Sequence, residues 1–490
     1  MNNKLIISML IGMLSFSIGY TQTKYSLKEV IAIAHGESIS AKQVQNSFEN
    51  RYWRYFSYKR SFLPSLTFNG TLPALNIGIS EVTLPDGTVD YIRTSNANYS
   101  AALQVNQPIR WTGGDVFISG DLARLDILGA NNRTSYRASP FYIGYRQPIM
   151  KFNNYKWQSK LEPLEFEEAK KLSVEQKEDL SMEAVRLFFD AVNSKSRYEI
   201  AKINVANSDT LFKISKGRYN LGKIAESELL QIELTLLNAE RTLAQSELDV
   251  LISNQRLKTF LGLSPMEDIE LAIDENVPAI NIDIPLAVKM AKEHRSEIVN
   301  FEKSLLESQR ELDRAKKNNS FNADLFVSYG VTQTAPNIEG SLTNLLDQET
   351  VNLGITVPVF NWGMNKARVK QQMANSELIN LQIEQNKINF EREVFIQAKQ
   401  FNLMNKQVEI AQKSMIVAEK RYVVAKQRFL IGKSDILTFN NSLTDRNQAV
   451  NSYYQTLMQF WTSYYQIRKL THYDFDKGKV IEFSEGDLVK

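Results

Sequence analysis

Apolar and small or polar side chains alternate along several stretches of the chain. Val351, Leu353, Ile355, Val357 and Val359 are separated by Asn352, Gly354, Thr356 and Pro358. Ala323, Leu325, Val327, Tyr329 and Val331 repeat the pattern, as do Tyr99, Ala101, Leu103 and Val105; Leu66, Phe68 and Leu72 alternate with Thr67, Asn69 and Thr71. Period two marks half-buried strands, so one face of each meets an apolar medium. Strands of about ten residues are expected, the length that crosses a bilayer when tilted. Trp111 to Asp115 reads as a tight turn, whereas 73–97 and 333–350 read as long polar loops. Short turns at one end and long loops at the other are the habit of an outer-membrane barrel. A soluble sandwich alternates in the same way, so the strands alone admit both.

The helical stretches are unusually long. Residues 155–216 and 365–428 are nearly free of Gly and Pro, and at about 1.5 Å per residue each spans on the order of 90 Å. A shorter helical stretch covers 26–62 and ends at Leu63-Pro64. In the helix after the first long stretch, Leu230, Leu234, Leu237, Ala244, Leu248 and Leu251 fall at alternating four- and three-residue steps, interrupted by Arg241. That is a coiled-coil seam. Leu229, Leu236, Leu243, Val250 and Leu257 form a second column beside it, matched downstream by Ile436, Leu443, Val450, Leu457 and Tyr464. Apolar contacts on two adjacent lines place such a helix in a ring or sheet of helices.

These elements occur twice. Gly144 and Pro148 recur 210 positions later as Gly354 and Pro358, and Arg218, Tyr219, Gly222 and Lys223 recur as Arg428, Phe429, Gly432 and Lys433. Further upstream the offset is 257, between Ile31 and Val288, so the first copy carries about 47 extra residues, with two more alternating stretches near 98–109 and 115–126. The expected divisions are a segment 1–21, a first repeat 22–265, a linker 266–283, a second repeat 284–470 and a tail 471–490. Residues 1–21 combine Lys4, an apolar run from Leu5 to Ile18 and small residues before Gln22, the pattern of a cleaved secretory signal. No later run is long and apolar enough for a transmembrane helix.

A formal net charge of +3 offers no basic excess for nucleic acid. The absence of cysteine excludes disulfides, thiolate metal sites and a lipidated N-terminal cysteine. His35, His294 and His472 are widely separated, with no catalytic or metal-binding motif around them. A solvated or capping role is expected for His35 and His294, and core packing for the aromatic run from Tyr453 to Tyr465. Neither an enzyme, a metal nor a cofactor is expected.

Each glycine turn is preceded by basic residues suited to the negative end of a helix dipole. The signal segment, the duplicated strand and helical hairpin, the junctions RQPIMKFNN (146–154) and VPVFNWG (357–363), and the turns RYNLGK and RFLIGK together resemble the TolC-like outer-membrane efflux and export channels. The fold class is then mixed, mainly α: a trimeric transmembrane β-barrel continued by a periplasmic α-helical barrel. The resemblance implies an outer-membrane exit duct, a homotrimer, for small molecules or polypeptides. It also implies a periplasmic membrane-fusion adaptor and an inner-membrane transporter of RND or ABC type. Carried over by position, Arg218, Leu221, Gly222, Lys223, Arg428, Ile431, Gly432 and Lys433 are adaptor-docking tips, and Pro148, Pro358 and Gly363 mark the strand-to-helix junctions. Thr438 and Asn441 stand where family members often carry an acidic ring, leaving Glu226, Glu228 and Asp435 as candidates for a negative entrance. The residues independently supply a reason to assemble, because open sheet edges are not tolerated in lipid. The alternative reading is a periplasmic coiled-coil scaffold with a soluble β domain and no pore.

Overall fold

The computed structural model describes residues 24–83, 85–129, 132–266, 268–273, 277–431 and 433–483; the expected signal segment lies outside them. The chain enters through β1 (Lys24–Ser26), α1 (Leu27–Gly36) and α2 (Ile39–Arg60). Four strands follow, β2 (Ser65–Thr83), β3 (Val89–Pro108), β4 (Asp115–Ile127) and β5 (Arg133–Ile149), then α3 (Asn154–Asn220) and α4 (Glu226–Leu261). The second half comprises β6 (Glu270–Ala272), α5 (Ile284–His294), α6 (Ser296–Asn318), β7 (Asn322–Ala335), α7 (Ile338–Ser341), β8 (Leu346–Thr356), α8 (Met364–Leu430) and α9 (Ile436–Thr471), ending in β9 (Tyr473–Asp474) and β10 (Lys479–Val480). α3 and α8 both have 67 residues, α4 and α9 both 36, and each pair starts 210 positions apart. Two compact units result, each drawn from both repeats.

One unit, residues 48–171 with 296–390, holds the sheet. Its six strands lie in the order β2-β3-β4-β5-β7-β8, every neighbour antiparallel. The expected strands of about ten residues are corrected by the observed ones, which run from 11 to 20. Residues 73–97, expected as a loop, continue the β2–β3 ladder to Thr83↔Val89. Pro73 hid this: it breaks the alternation, and it sits in a register shift between Thr71 and Ala74 on the outermost strand, where a missing N–H costs no ladder bond. Residues 333–350 likewise contain the end of β7, the helix α7 and the start of β8.

Cross-strand aromatic packing holds the centre of the sheet. The Phe117 ring lies over Gly144, where a Cβ would meet Phe117 Cζ at 2.2 Å. Phe117 also stacks on Phe326 at 6.1 Å, with the Arg146 guanidinium 4.9 Å from its ring. Beside the sheet, Tyr55 of α2 stacks on Phe166 of α3 at 4.6 Å, and Trp157 of α3 donates its indole N–H to Asp313 of α6 at 2.9 Å.

The other unit is helical. Phe401 of α8 packs on Phe460 and Tyr464 of α9 at 5.2 and 6.0 Å, and Leu457, Ile467 and Leu470 are fully enclosed. Asn402 fixes the linker by donating to the Ile282 carbonyl and accepting from its N–H, both at 2.9 Å. The aromatic run from Tyr453 to Tyr465 is core, with Tyr453, Phe460, Tyr464 and Tyr465 all buried. His35, expected at a solvated helix end, instead pairs with the Ser181 hydroxyl at 2.8 Å. At the end of α9, Arg468 bridges Glu178 at 2.9 Å and Asp474 at 3.2 Å, and the Tyr464 hydroxyl donates to Asp474 at 2.6 Å.

Two expectations follow. Gly144→Val forces the Phe117 ring off its neighbours and costs roughly 1–3 kcal/mol by overpacking; the thermal midpoint of the folded protein should fall, and an unchanged midpoint would refute the packing role. Burial pushes the Glu178 carboxyl from 4.5 up to about 6 against the opposing pull of Arg468. The native state then holds that proton more tightly than the unfolded chain, so the contribution is full below 4.5 and lost as pH rises through about 6. Thermal unfolding of Glu178→Gln across this window should show a shallower fall in stability with rising pH than the parent.

Candidate functional site

Residues directly opposite each other on adjacent strands share a face, so the register sorts the sheet into two surfaces. Leu66, Val105, Ile118, Ile143 and Tyr329 form one row across β2, β3, β4, β5 and β7. Tyr145, Val327 and Val351 form a parallel row, with Leu325 opposite Leu353 and Ala323 opposite Ile355. This surface is aliphatic and uncovered by the chain: Leu66 is 69% and Val351 75% exposed. The reverse surface carries Thr67, Gln104, Ser119 and Tyr142 in one row, and Asp115, Arg146, Phe326 and Asn352 in another. Arg146 and Asp115 form an ion pair there at 3.0 Å. A sheet with one greasy and one polar face is suited to separating lipid from water.

Its two edges are β2 and β8, neither with a second strand beside it among the described residues. At the end where the helices join, large apolar side chains project: Trp111 is 85%, Phe360 71% and Trp362 90% exposed. Asn153, missed from sequence although it lies in the 146–154 junction, organises this end. Its amide donates to the carbonyls of Arg110 and Trp111 at 3.2 and 3.1 Å, while its oxygen accepts from the Lys156 N–H at 3.0 Å to cap α3. Pro148 lies within β5 opposite Asp324. Pro358 and Gly363 fall between β8 and α8, with Trp362 and Gly363 at φ of 56° and 82°.

Within the helical unit the two hairpin turns close in the same way. The N–H of Lys223 bonds to the Arg218 carbonyl at 2.9 Å, and that of Lys433 to the Arg428 carbonyl at 2.8 Å. This six-residue closure needs a left-handed residue within it, and Gly222 supplies it at φ 66°. Gly432 lies outside the described residues. Leu221 and Ile431 project from the two turns, 72% and 66% exposed, with Lys223 and Lys433 also exposed. Behind them, Leu211, Ile232, Tyr422, Phe429 and Phe439 form a buried cluster joining both hairpins. Glu226 and Glu228 are exposed in the first turn of α4. Asp435 caps α9, accepting from the Thr438 N–H at 2.6 Å, and that bond holds its carboxyl below the usual range.

The helices also leave apolar stripes uncovered. The seam expected at Leu230, Leu234, Leu237, Leu248 and Leu251 finds no cover among the described residues, each residue being about half exposed or more, while the second column ends at fully buried Leu257. Sequence reasoning missed a matching stripe on α8, where Phe395, Leu403, Ile410, Val417 and Val424 are also exposed. Steps of seven and eight were its signal. No helix among the described residues is long and apolar enough to cross a membrane.

The same combination of sheet and long helical hairpins occurs in solved outer-membrane channels. Residues 290–471 match the family model of outer membrane efflux proteins. The fold is similar to the Campylobacter jejuni CmeC outer membrane channel, with a TM-score of 0.65 at 14% identity, covering 94% of this chain and 87% of that one. It is similar as well to the outer-membrane channel OprN (TM-score 0.63, 14% identity, 91% and 89% covered) and to VceC from Vibrio cholerae (0.62, 11%, 93% and 97%). No curated protein sequence matches the chain. The likeness to efflux-channel structures is thus one of fold along most of the chain, and the family model adds a sequence match over residues 290–471.

A β-branched residue at position 222 must adopt a left-handed backbone at a cost of about 1–2 kcal/mol. Gly222→Val should therefore speed proteolytic cleavage at the first turn and leave the melting of the whole protein nearly unchanged; parent-like cleavage would argue against the closure described.

Proposed function

We propose that three copies of this chain form the exit duct of a tripartite efflux or type I export system, through which small molecules or polypeptides pass passively to the outside. The observation that carries this reading is the six-stranded sheet with an aliphatic face, a polar face and two open edges. Hydrocarbon tolerates such a sheet only when closed. Because the number of strands is even, β8 runs opposite to β2, so β8 of one copy and β2 of the next continue the antiparallel order. The exposed stripes on α4 and α8 supply the corresponding contact between helices of adjacent copies, as knobs-into-holes packing requires.

Leu221 and Ile431, each flanked by a lysine at an exposed turn, are the docking points for a periplasmic adaptor, itself coupled to an inner-membrane transporter. Glu226 and Glu228, with Asp435, give the entrance a negative lining that favours cations. Energy and selection come from the partners, and the duct supplies a water-filled path.

Single-channel conductance and native mass of the detergent-extracted protein test the duct: trimers with stable conductance are expected, and a species washed off membranes by carbonate would support a scaffold instead. For the tips, the double variant Leu221→Asp and Ile431→Asp should abolish efflux while leaving trimers intact. Wild-type efflux in that variant would remove the docking assignment.

A further inference from the structure

The duplication identifies which strands are extra. At the offset of 210, β5 corresponds to β8 through Gly144 and Gly354, and through Pro148 and Pro358. β2 then corresponds to β7, each following a helix and preceding the second strand of its repeat, and β3 and β4 have no counterpart. A chain without them would place β2 beside β5 in a four-stranded sheet. In this chain the added hairpin lies between them: β3 pairs with both β2 and β4, and β4 with both β3 and β5, over 12 or more paired positions in each ladder.

We infer that the insertion widens the wall of the duct, which has eighteen strands, six from each of three copies. This rests on the trimeric duct proposed above and specifies its girth. Three features make the hairpin part of the wall. Its faces have the chemistry of the flanking strands, with Leu103, Val105, Val116, Ile118 and Leu122 on the aliphatic side and Gln104, Ser119 and Asp121 on the polar side. Its turn is tied to the helix-joining end of the sheet by Asn153 on the carbonyls of Arg110 and Trp111, and by the Gln147 amide on the Thr112 carbonyl at 3.0 Å. Adding strands in pairs also keeps β2 and β8 antiparallel, so the seam between copies is unaffected.

The consequence is geometric. At a strand spacing of about 4.8 Å and a tilt of about 40°, eighteen strands close with a backbone diameter of roughly 36 Å, against roughly 24 Å for twelve. The cross-section is a little over twice as large, in the range where barrels keep an aqueous channel. The wall then admits bulkier cargo than a four-strand chain would, and any size limit falls to the helical part of the duct.

The chain has no cysteine, so engineered pairs report cleanly in native membranes. Phe68→Cys with Leu103→Cys tests β2 beside β3, and Ile118→Cys with Ile143→Cys tests β4 beside β5. Both should form intrachain disulfides. Phe68→Cys combined in turn with Val351→Cys, Leu353→Cys or Ile355→Cys should give covalent trimers at one or more positions. If Phe68→Cys instead bonds to Ile143→Cys, while the first two pairs stay reduced, the hairpin has left the wall and the eighteen-strand inference is overturned with the duct intact. Seam pairs that never link copies, together with a monomeric native mass, overturn the duct itself. Electron cryomicroscopy of the unmodified trimer, viewed along its axis, counts the strands without any variant: eighteen are expected and twelve would refute the inference.

Discussion

A backbone amide facing hydrocarbon without a partner costs several kcal/mol, and a strand at an open edge presents a whole row of them. β2 and β8 are such strands here, and both carry exposed aliphatic residues on the side shared with the rest of the sheet. In water, an edge of this kind invites aggregation and is normally blunted by charge, proline or a covering segment. In a membrane it must be paired. In the proposed duct, assembly then runs through the most ordinary interaction in proteins, the backbone hydrogen bond, and the aliphatic face sets where the assembled sheet resides.

The helical unit follows the same logic with side chains in place of backbone groups. A helix in a closed ring has two neighbours, so it needs two apolar lines. Within the chain α4 satisfies one of them, the column ending at buried Leu257, and leaves the other, around Leu234 and Leu248, exposed. α8 leaves a stripe of its own from Phe395 to Val424. The buried cluster of Phe429, Phe439, Tyr422, Leu211 and Ile232 binds the two hairpins of one chain near their turns. Contact within a copy is thus complete close to the turns, while the uncovered lines are the ones that the proposed assembly uses between copies.

Much of this was legible because both periodicities are local. Alternation exposed β7, β8 and the inner part of β2, and the heptads of α4 exposed both of its contact lines. The outer β2–β3 ribbon was not legible: Pro73 interrupts the alternation, and residues such as Asp86 and Gly87 mark a turn without revealing how far the strands run before it. The hairpin turns were located by their glycines and flanking basic residues. Their shared closure, Lys223 onto Arg218 and Lys433 onto Arg428, belongs to the backbone, which no residue pattern displays. Asn153 escaped notice for a related reason: its importance lies in three bonds to residues 3 to 43 positions away, and an asparagine before a helix otherwise reads as a simple cap.

The place of the insertion has its own physical logic. From Gly144 to the end of α4 the two repeats keep a constant offset, and both long helices have 67 residues. A coiled-coil ring penalises any change of helix number or length, since every knob must find a hole in its neighbour. An antiparallel sheet imposes a weaker constraint. Any even number of strands preserves the direction of its edges, and a hairpin that enters and leaves at the end away from the helices, with only its turn at the helix-joining end, leaves every helix connection where it was. The approximately 47 extra residues occupy that position, between β2 and β5. In the proposed duct, girth can therefore vary in the sheet while the helices remain fixed by their mutual packing.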